Sequence, residues 1–278
     1  MADSLRPLEG KVAWVTGSSR GLGRVIATHL GRLGASIVVH GTSPTSTRAF
    51  NEGSSLDAVT EEIAAATGGE VQRVFGDLSD PATVERLVAE VTDRFGRIDV
   101  LVNNAGGDIG AAGTGGPGGG KPIPNDAVEI PLDDVRAVLD RNLFSCILMC
   151  KAVAPGMMAR QRGWIVNLGS VGGLSGRAEG AIYATAKAAV HEYTRCLAAQ
   201  LRPFNIPVNA IAPGGTLTPR FLATRQADQA KLEATDTLDR YADPEETSRA
   251  VAFLVSDPGP FISGQILRVD GGAQLWPA

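Results

Sequence analysis

The sequence has 278 residues, 44 % of them hydrophobic and 20 % charged, with a mean hydropathy of +0.03. That composition supplies a core and excludes a disordered chain, and the length suits one large domain over 1–278. With 26 Lys and Arg against 30 Asp and Glu, the net charge is -4 and the cations form no stripe, which excludes nucleic acid and a polybasic membrane anchor and leaves small molecules or further copies of the chain as partners.

Residues 1–10 are polar and carry no apolar signal core, and the longest apolar stretch, 143–159, is broken by Lys151 and Pro155. A cytoplasmic chain that does not span a membrane is expected. Short β-branched runs at 12–15, 36–40, 71–75, 100–102, 164–167, 207–211 and 266–269 are separated by segments of helical period. Repeated βαβ units of this kind predict a doubly wound α/β domain around a seven-stranded parallel sheet buried on both faces. Helices are expected to begin near Gly21, Ser55, Pro81, Leu132, Ala181 and Asp243, and Asp80-Pro81 and Asp243-Pro244 each place a capping carboxylate before a proline at the first helical position. Cys146, Cys150 and Cys196 lie in apolar runs without CxxC spacing, so three reduced, buried thiols and no metal site are expected.

Two stretches break the rhythm. Residues 106–126 are dominated by glycine, with Pro117, Pro122 and Pro124, and read as a mobile surface loop, first as a tolerated insertion and second as a wall of the substrate site. Residues 216–241 are helical in propensity but polar, which suits a lid.

The first strand runs into Thr16-Gly17-Ser18-Ser19-Arg20-Gly21-Leu22-Gly23 and then an amphipathic helix. Gly17 permits the tight turn, Gly21 lets backbone approach a pyrophosphate, and Gly23 lets the helix pack closely on the sheet. Gly17, Ser19 and Gly21 also satisfy the G-x-S-x-G pattern of a hydrolase nucleophile. That reading fails on position, because the turn follows the first strand and the only late histidine, His191, falls within a helix. Residues 115–121 imitate a phosphate-binding Walker loop, but Pro122 stands where a hydroxyl is required and no strand precedes it.

Further motifs follow in order: Asn103-Asn104-Ala105-Gly106 after the fourth strand, Asn142, Ser170 after the fifth strand, Tyr183-Ala184-Thr185-Ala186-Lys187, Pro213-Gly214, and Val269-Asp270-Gly271-Gly272. With the glycine turn they resemble the short-chain dehydrogenase/reductase family over about residues 8–272. The 106–126 loop is longer than is usual in that family. The resemblance implies a Rossmann-type fold, hydride exchange between a nicotinamide cofactor and a ketone or secondary alcohol, and a homotetramer paired through Leu132–Arg160 and Ala181–Leu201. It also implies cofactor contacts from Gly17, Ser19, Arg20, Gly21, Leu22, Gly23, Asp77, Leu78, Asn104, Ala105, Gly106, Pro213 and Gly214, with Thr216 or Thr218 on the carboxamide.

Tyr183 and Lys187 are four apart, so both project from one helix face. A tyrosine is a poor base at neutral pH unless a neighbouring ammonium favours its phenolate, which makes Tyr183 the acid-base group and Lys187 its partner. Ser170, just past a strand end, is placed to orient the carbonyl. The resemblance adds ribose contacts for Lys187 and a water relay anchored by Asn142. His29, His40 and His191 receive no catalytic role.

The second strand ends Val38-Val39-His40-Gly41-Thr42 with no acid before Glu52. An acid there would bind a ribose 2′-hydroxyl and repel a 2′-phosphate. Its absence, and Arg20 inside the turn with Thr42, Ser43 or Arg48 nearby, favours NADP(H) over NAD(H). A non-catalytic nucleotide-binding scaffold would need the glycine turn but not Asn142, Ser170, Tyr183 and Lys187. The sequence does not separate a 3-oxoacyl-thioester reductase from a dehydrogenase of sugars, polyols or cyclic alcohols.

Overall fold

In the computed structural model, which describes residues 6–256 and 261–275, parallel strands form one sheet in the order β3-β2-β1-β4-β5-β6-β7. They are β1 (Val12–Val15), β2 (Ser36–Gly41), β3 (Val71–Phe75), β4 (Val100–Asn103), β5 (Trp164–Leu168), β6 (Val208–Pro213) and β7 (Ile266–Val269). Part of the expectation for residues 1–10 lies outside the described residues. The sixth strand starts one residue later than expected. Pro207 has no N–H to donate, although its carbonyl accepts from the Ile165 amide, and pairing with β7 carries β6 on to Pro213.

The helices are α1 (Gly21–Arg32), α2 (Leu56–Thr67), α3 (Pro81–Phe95), α4 (Leu132–Arg160, with a π-turn at Asp140–Phe144), α5 (Ala181–Leu201), α6 (Pro219–Thr224), α7 (Gln229–Glu233) and α8 (Pro244–Val255). Local chemistry starts them where expected. Asp80 accepts from the Ala82 and Thr83 amides ahead of Pro81, and Asp243 forms a reciprocal capping box with Glu246.

Strand alternation splits the core into two layers. Val12 and Trp14 point to one face, where they join Leu87 of α3 and Met149 and Met157 of α4. Ala13 and Val15 point to the other, with Ile26 and Leu30 of α1, Ile63 of α2 and Val251 of α8. Leu132–Arg160 is long and apolar enough to cross a membrane. Here Cys146, Met149, Cys150, Val153 and Met157 bury its apolar side under the sheet, so its hydropathy is that of a core helix. The expectation of three buried thiols needs correction: Cys146 and Cys150 are buried, but Cys196 is exposed. On α5 the buried positions Val190, Thr194, Leu197 and Ala198 define the inner face, and Cys196 falls outside it.

Strand order reverses between β1 and β4, so their carboxyl ends open a crevice.

Candidate active site

The glycine turn and the segment after β4 are stitched to each other. Thr16 Oγ1 accepts from the Asn104 and Ala105 amides (both 3.0 Å), while the Asn104 side chain donates to the carbonyls of Thr16 (3.0 Å) and Gly17 (3.2 Å). Closeness explains the glycines. At Gly17 (φ +64°) a Cβ would lie 2.8 Å from Ala105 Cα, and at Gly23 one would lie 2.3 Å from Asn104 Nδ2 and 2.5 Å from the Gly17 carbonyl oxygen. Gly23→Ala is therefore expected to destabilise the fold by about 1–3 kcal/mol through forced displacement of Asn104, read as a lower urea midpoint. Gly21 differs, because its position (φ +55°) faces open space.

His40, given no role by sequence, braces this turn. Its Nδ1 accepts from the Gly17 amide (3.0 Å) and its Nε2 lies 3.1 Å from the Gly76 carbonyl, so the ring is the neutral Nε2–H tautomer. Burial pushes its pKa down to about 4. With both nitrogens committed, His40 cannot serve buried Ser19 as a base, which disposes of the hydrolase reading at that histidine. His29 instead faces Glu245 at 3.1 Å.

Two cavities, each of about 420 Å³, meet in the crevice. The first is lined by Gly17, Ser19, Arg20, Gly21, Leu22, Gly23, Thr42, Asp77, Leu78, Asn104, Ala105, Gly106 and Thr218. The second holds Ser170, Tyr183, Lys187, Pro213, Gly214 and Thr216. Leu22, Asn104, Gly106, Thr218 and Arg220 border both, so the two form one trough. The candidate residues are thus brought together except Asn142, which lines neither cavity. Its amide is spent on backbone: Oδ1 accepts from Gly107 (2.9 Å), and Nδ2 donates to Gly107 and Val138 (both 2.8 Å).

In the second cavity Ser170 Oγ accepts from the Gly172 amide (3.0 Å), and the Ser170 amide donates to His191 Nε2 (3.3 Å). His191 therefore positions the serine segment, a role that its place in a helix did not reveal. Burial, then the charges of Lys187 and Arg195, push its pKa down to about 4. The buried Lys187 donates to the Leu168 carbonyl (2.6 Å), with its ammonium 5.7 Å from the Tyr183 ring centre. Thr216 Oγ1 donates to the Gly214 carbonyl (3.2 Å), and Thr218 Oγ1 caps α6 by accepting from Phe221 (3.2 Å).

In the first cavity the Arg20 guanidinium donates to the Ser46 carbonyl and lies 5.9 Å from the Phe50 ring centre. Arg48 turns away to the Ser54 carbonyl (2.9 Å). Sequence reasoning missed Glu52. Left-handed conformations at Phe50 (φ 61°) and Asn51 (φ 57°) reverse the chain and bring Glu52 onto the cavity wall, where Oε2 accepts from the Gly21 amide (2.6 Å). Burial pushes its pKa up, against the Gly21 hydrogen bond and the charges of Arg20 and Arg24.

Most of 106–126 is exposed or half-buried, as expected of a glycine-rich surface loop, yet it folds back on itself through Gly110 and Gly120, buries Ile109, and reaches the 216–241 segment through a Lys121 hydrogen bond to the Thr224 carbonyl (2.8 Å). Asp108 and Lys121 line the second cavity. Within 216–241, α6 supplies Arg220, Phe221 and Thr224 to the same wall, and Tyr241 packs edge-on against Phe221 with ring centres 4.8 Å apart.

A nicotinamide dinucleotide fits the trough. Gly21 leaves open space at the start of α1, where a phosphate would meet the backbone N–H groups that follow it, the Gly21 N–H itself being taken by Glu52. Among the described residues, several buried polar atoms of the lining have no hydrogen-bond partner, Ser46 Oγ, Glu52 Oε1, Arg141 Nε and Arg220 Nε in the first cavity among them.

Comparisons with known proteins agree with this geometry. The sequence family described as enoyl-(acyl carrier protein) reductase matches residues 17–274. A 3-oxoacyl-[acyl-carrier-protein] reductase of Synechocystis sp. is 36 % identical over 275 residues, covering 97 % of this chain and 99 % of the relative. A cyclohexanol dehydrogenase of Rhodococcus sp. is 36 % identical over 278 residues, covering 98 % of each chain. A solved 7α-hydroxysteroid dehydrogenase, complexed with NADH and 7-oxo glycochenodeoxycholic acid, superposes with a TM-score of 0.82 at 30 % identity over 98 % of both chains.

Proposed function

The chain belongs to the short-chain dehydrogenase/reductase family and is an oxidoreductase, and from that premise we propose that it exchanges a hydride between NADP(H) and a ketone or secondary alcohol, with Tyr183 as acid-base catalyst. The observation that carries the reading is the shared cavity of Ser170, Tyr183 and Lys187, continuous with the glycine-turn cavity. A bound nicotinamide supplies or takes the hydride. Ser170 Oγ already accepts from Gly172, which leaves its hydrogen free to donate to the substrate oxygen. Tyr183 transfers the proton at that oxygen. Lys187 spends one N–H on the Leu168 carbonyl and keeps two for ribose hydroxyls, while its charge supports a phenolate. The family resemblance implies a water relay anchored at Asn142, whose amide is already engaged by Gly107 and Val138 beside the π-turn.

We read 1–278 as one domain and the assembly as a homotetramer paired through α4 and α5, a reading supported by exposed Leu132 and Phe144 on α4. The named relatives suggest 3-oxoacyl thioesters or cyclic alcohols as substrates.

Arg20, Thr42 and Ser46 on the first cavity, and a β2 end without an acid, support NADP(H). Glu52 on the same wall favours a second reading, NAD(H), because its orphaned carboxylate oxygen would accept from a ribose hydroxyl and repel a 2′-phosphate. Titration with NADPH and NADH at one salt concentration tests the choice. NADPH is expected to bind about tenfold tighter, about 1.4 kcal/mol, and Glu52→Gln to widen the gap. Tighter NADH binding that weakens in Glu52→Gln would assign NAD(H).

A further inference from the structure

The second cavity has a charge pattern opposite to that of the whole chain. Besides Lys187, its wall carries Lys121, Arg177, Arg220 and Arg225 against, among the described residues, one lining carboxylate, Asp108, in a protein of net charge -4. These cations come from separate segments: the 106–126 loop, the turn after β5 and the lid. Asp108 offsets part of this charge, acting against burial to raise the pKa of Lys121 and Arg220, but it is a single carboxylate facing five cations, and Arg220 bonds its main-chain carbonyl (2.7 Å) instead of the carboxylate.

Arg220 also borders the first cavity and would be shared with a bound cofactor, whereas Lys121, Arg177 and Arg225 line the second cavity alone. The glycine-rich loop has a use here. At Gly119 (φ +66°) a Cβ would lie 2.4 Å from Thr224 Cγ2, so the absence of side chains lets the loop press on the lid and deliver Lys121. Lys121 has its ammonium on the Thr224 carbonyl, and burial with the nearby charges of Arg225 and Arg220 lowers its pKa, against Asp108 and Glu179. Part-desolvated cations such as Lys121 and Arg220 are relieved by an anion and gain nothing from a neutral alcohol, and the exposed Arg177 and Arg225 add their charge on the same wall.

We propose that the substrate is an anionic ketone or its hydroxy counterpart, with the reacting carbon at Tyr183 and Ser170 and a carboxylate or phosphate held among Lys121, Arg177 and Arg225. This rests on the oxidoreductase reading of the same cavity and narrows its substrate class.

The test uses the full chain, NADPH and NADH, and matched pairs: acetoacetate and levulinate with their methyl esters, and dihydroxyacetone phosphate with dihydroxyacetone. At least one anionic member is expected to exceed its neutral partner about tenfold or more in kcat/KM, mainly through KM. The carboxylate and phosphate arms distinguish the two anions. In Lys121→Ala and Arg177→Ala the anionic-to-neutral ratio is expected to collapse toward one. Equal or better turnover of every neutral partner, or a ratio that survives both substitutions, overturns the anionic substrate and leaves the oxidoreductase standing. If cofactor binds but neither this set nor neutral cyclic ketones and alcohols are turned over, the underlying reading fails as well.

Discussion

Tyr183→Phe is expected to lower kcat by about 10³-fold while leaving the NADPH dissociation constant within about twofold of the parent. The substitution keeps the ring on α5 and removes only the hydroxyl. Neither the Lys187 hydrogen bond to Leu168 nor the Ser170 hydrogen bond to Gly172 involves that hydroxyl, so the cavity keeps its shape. Proton transfer at the substrate oxygen loses its donor, and water in a narrow cavity is a poor replacement. Steady-state kinetics beside a fluorescence titration of NADPH separates the two effects. Near-parental turnover in this variant would remove Tyr183 from the chemistry.

The second large effect is on stability in acid. His40 and His191 have folded pKa values of about 4, below the ordinary 6.5 that the unfolded chain recovers. Below 6.5 the unfolded chain therefore takes up protons that the native protein refuses. Their contribution is fully present above about pH 6.5 and is lost as pH falls toward 4. Between pH 7 and pH 5 the loss is roughly 2 kcal/mol per histidine, and urea unfolding at the two values measures it. For His40 the cause is geometric as well as dielectric: protonated Nδ1 would point a hydrogen at the Gly17 N–H, which it now accepts. Cofactor affinity of the folded protein is expected to hold between pH 7 and pH 5 and to fall only as pH nears 4, where the ring that braces the glycine turn is itself protonated. A stability curve flat between pH 7 and pH 5 would refute the linkage, and His40→Gln is expected to remove about half of the slope.

Much of the molecule was legible in the sequence. Val12 to Val15 reads as a doubly buried strand, Asp80-Pro81 and Asp243-Pro244 announce helix starts, and the Tyr183 to Lys187 spacing places two side chains on one helix face. These signals are local, set by strand and helix periods and by dihedral preferences within a few residues. Ordered motifs singled out the glycine turn and Asn104 separately, and the hydrogen bonds through Thr16 that join them came from the tertiary structure.

What the sequence did not disclose depends on distant contacts. Glu52 reaches Gly21 only because the turn at Phe50 and Asn51 reverses direction, and an acid outside the end of β2 carries no signal of its own. His191 meets Ser170 across 21 residues, and the Asn142 amide meets Gly107 across 35, once the sheet has brought their elements together. Composition made 106–126 a loop of little burial, yet closure against the lid set Lys121 on the substrate wall. The sequence by itself determined the α/β order, the core faces and the family chemistry, because those follow from periodicity and from motifs read along the chain. Tertiary structure decided the charge of the substrate cavity, the acid on the nucleotide wall and the protonation of the histidines, because these depend on which distant side chains share one desolvated space.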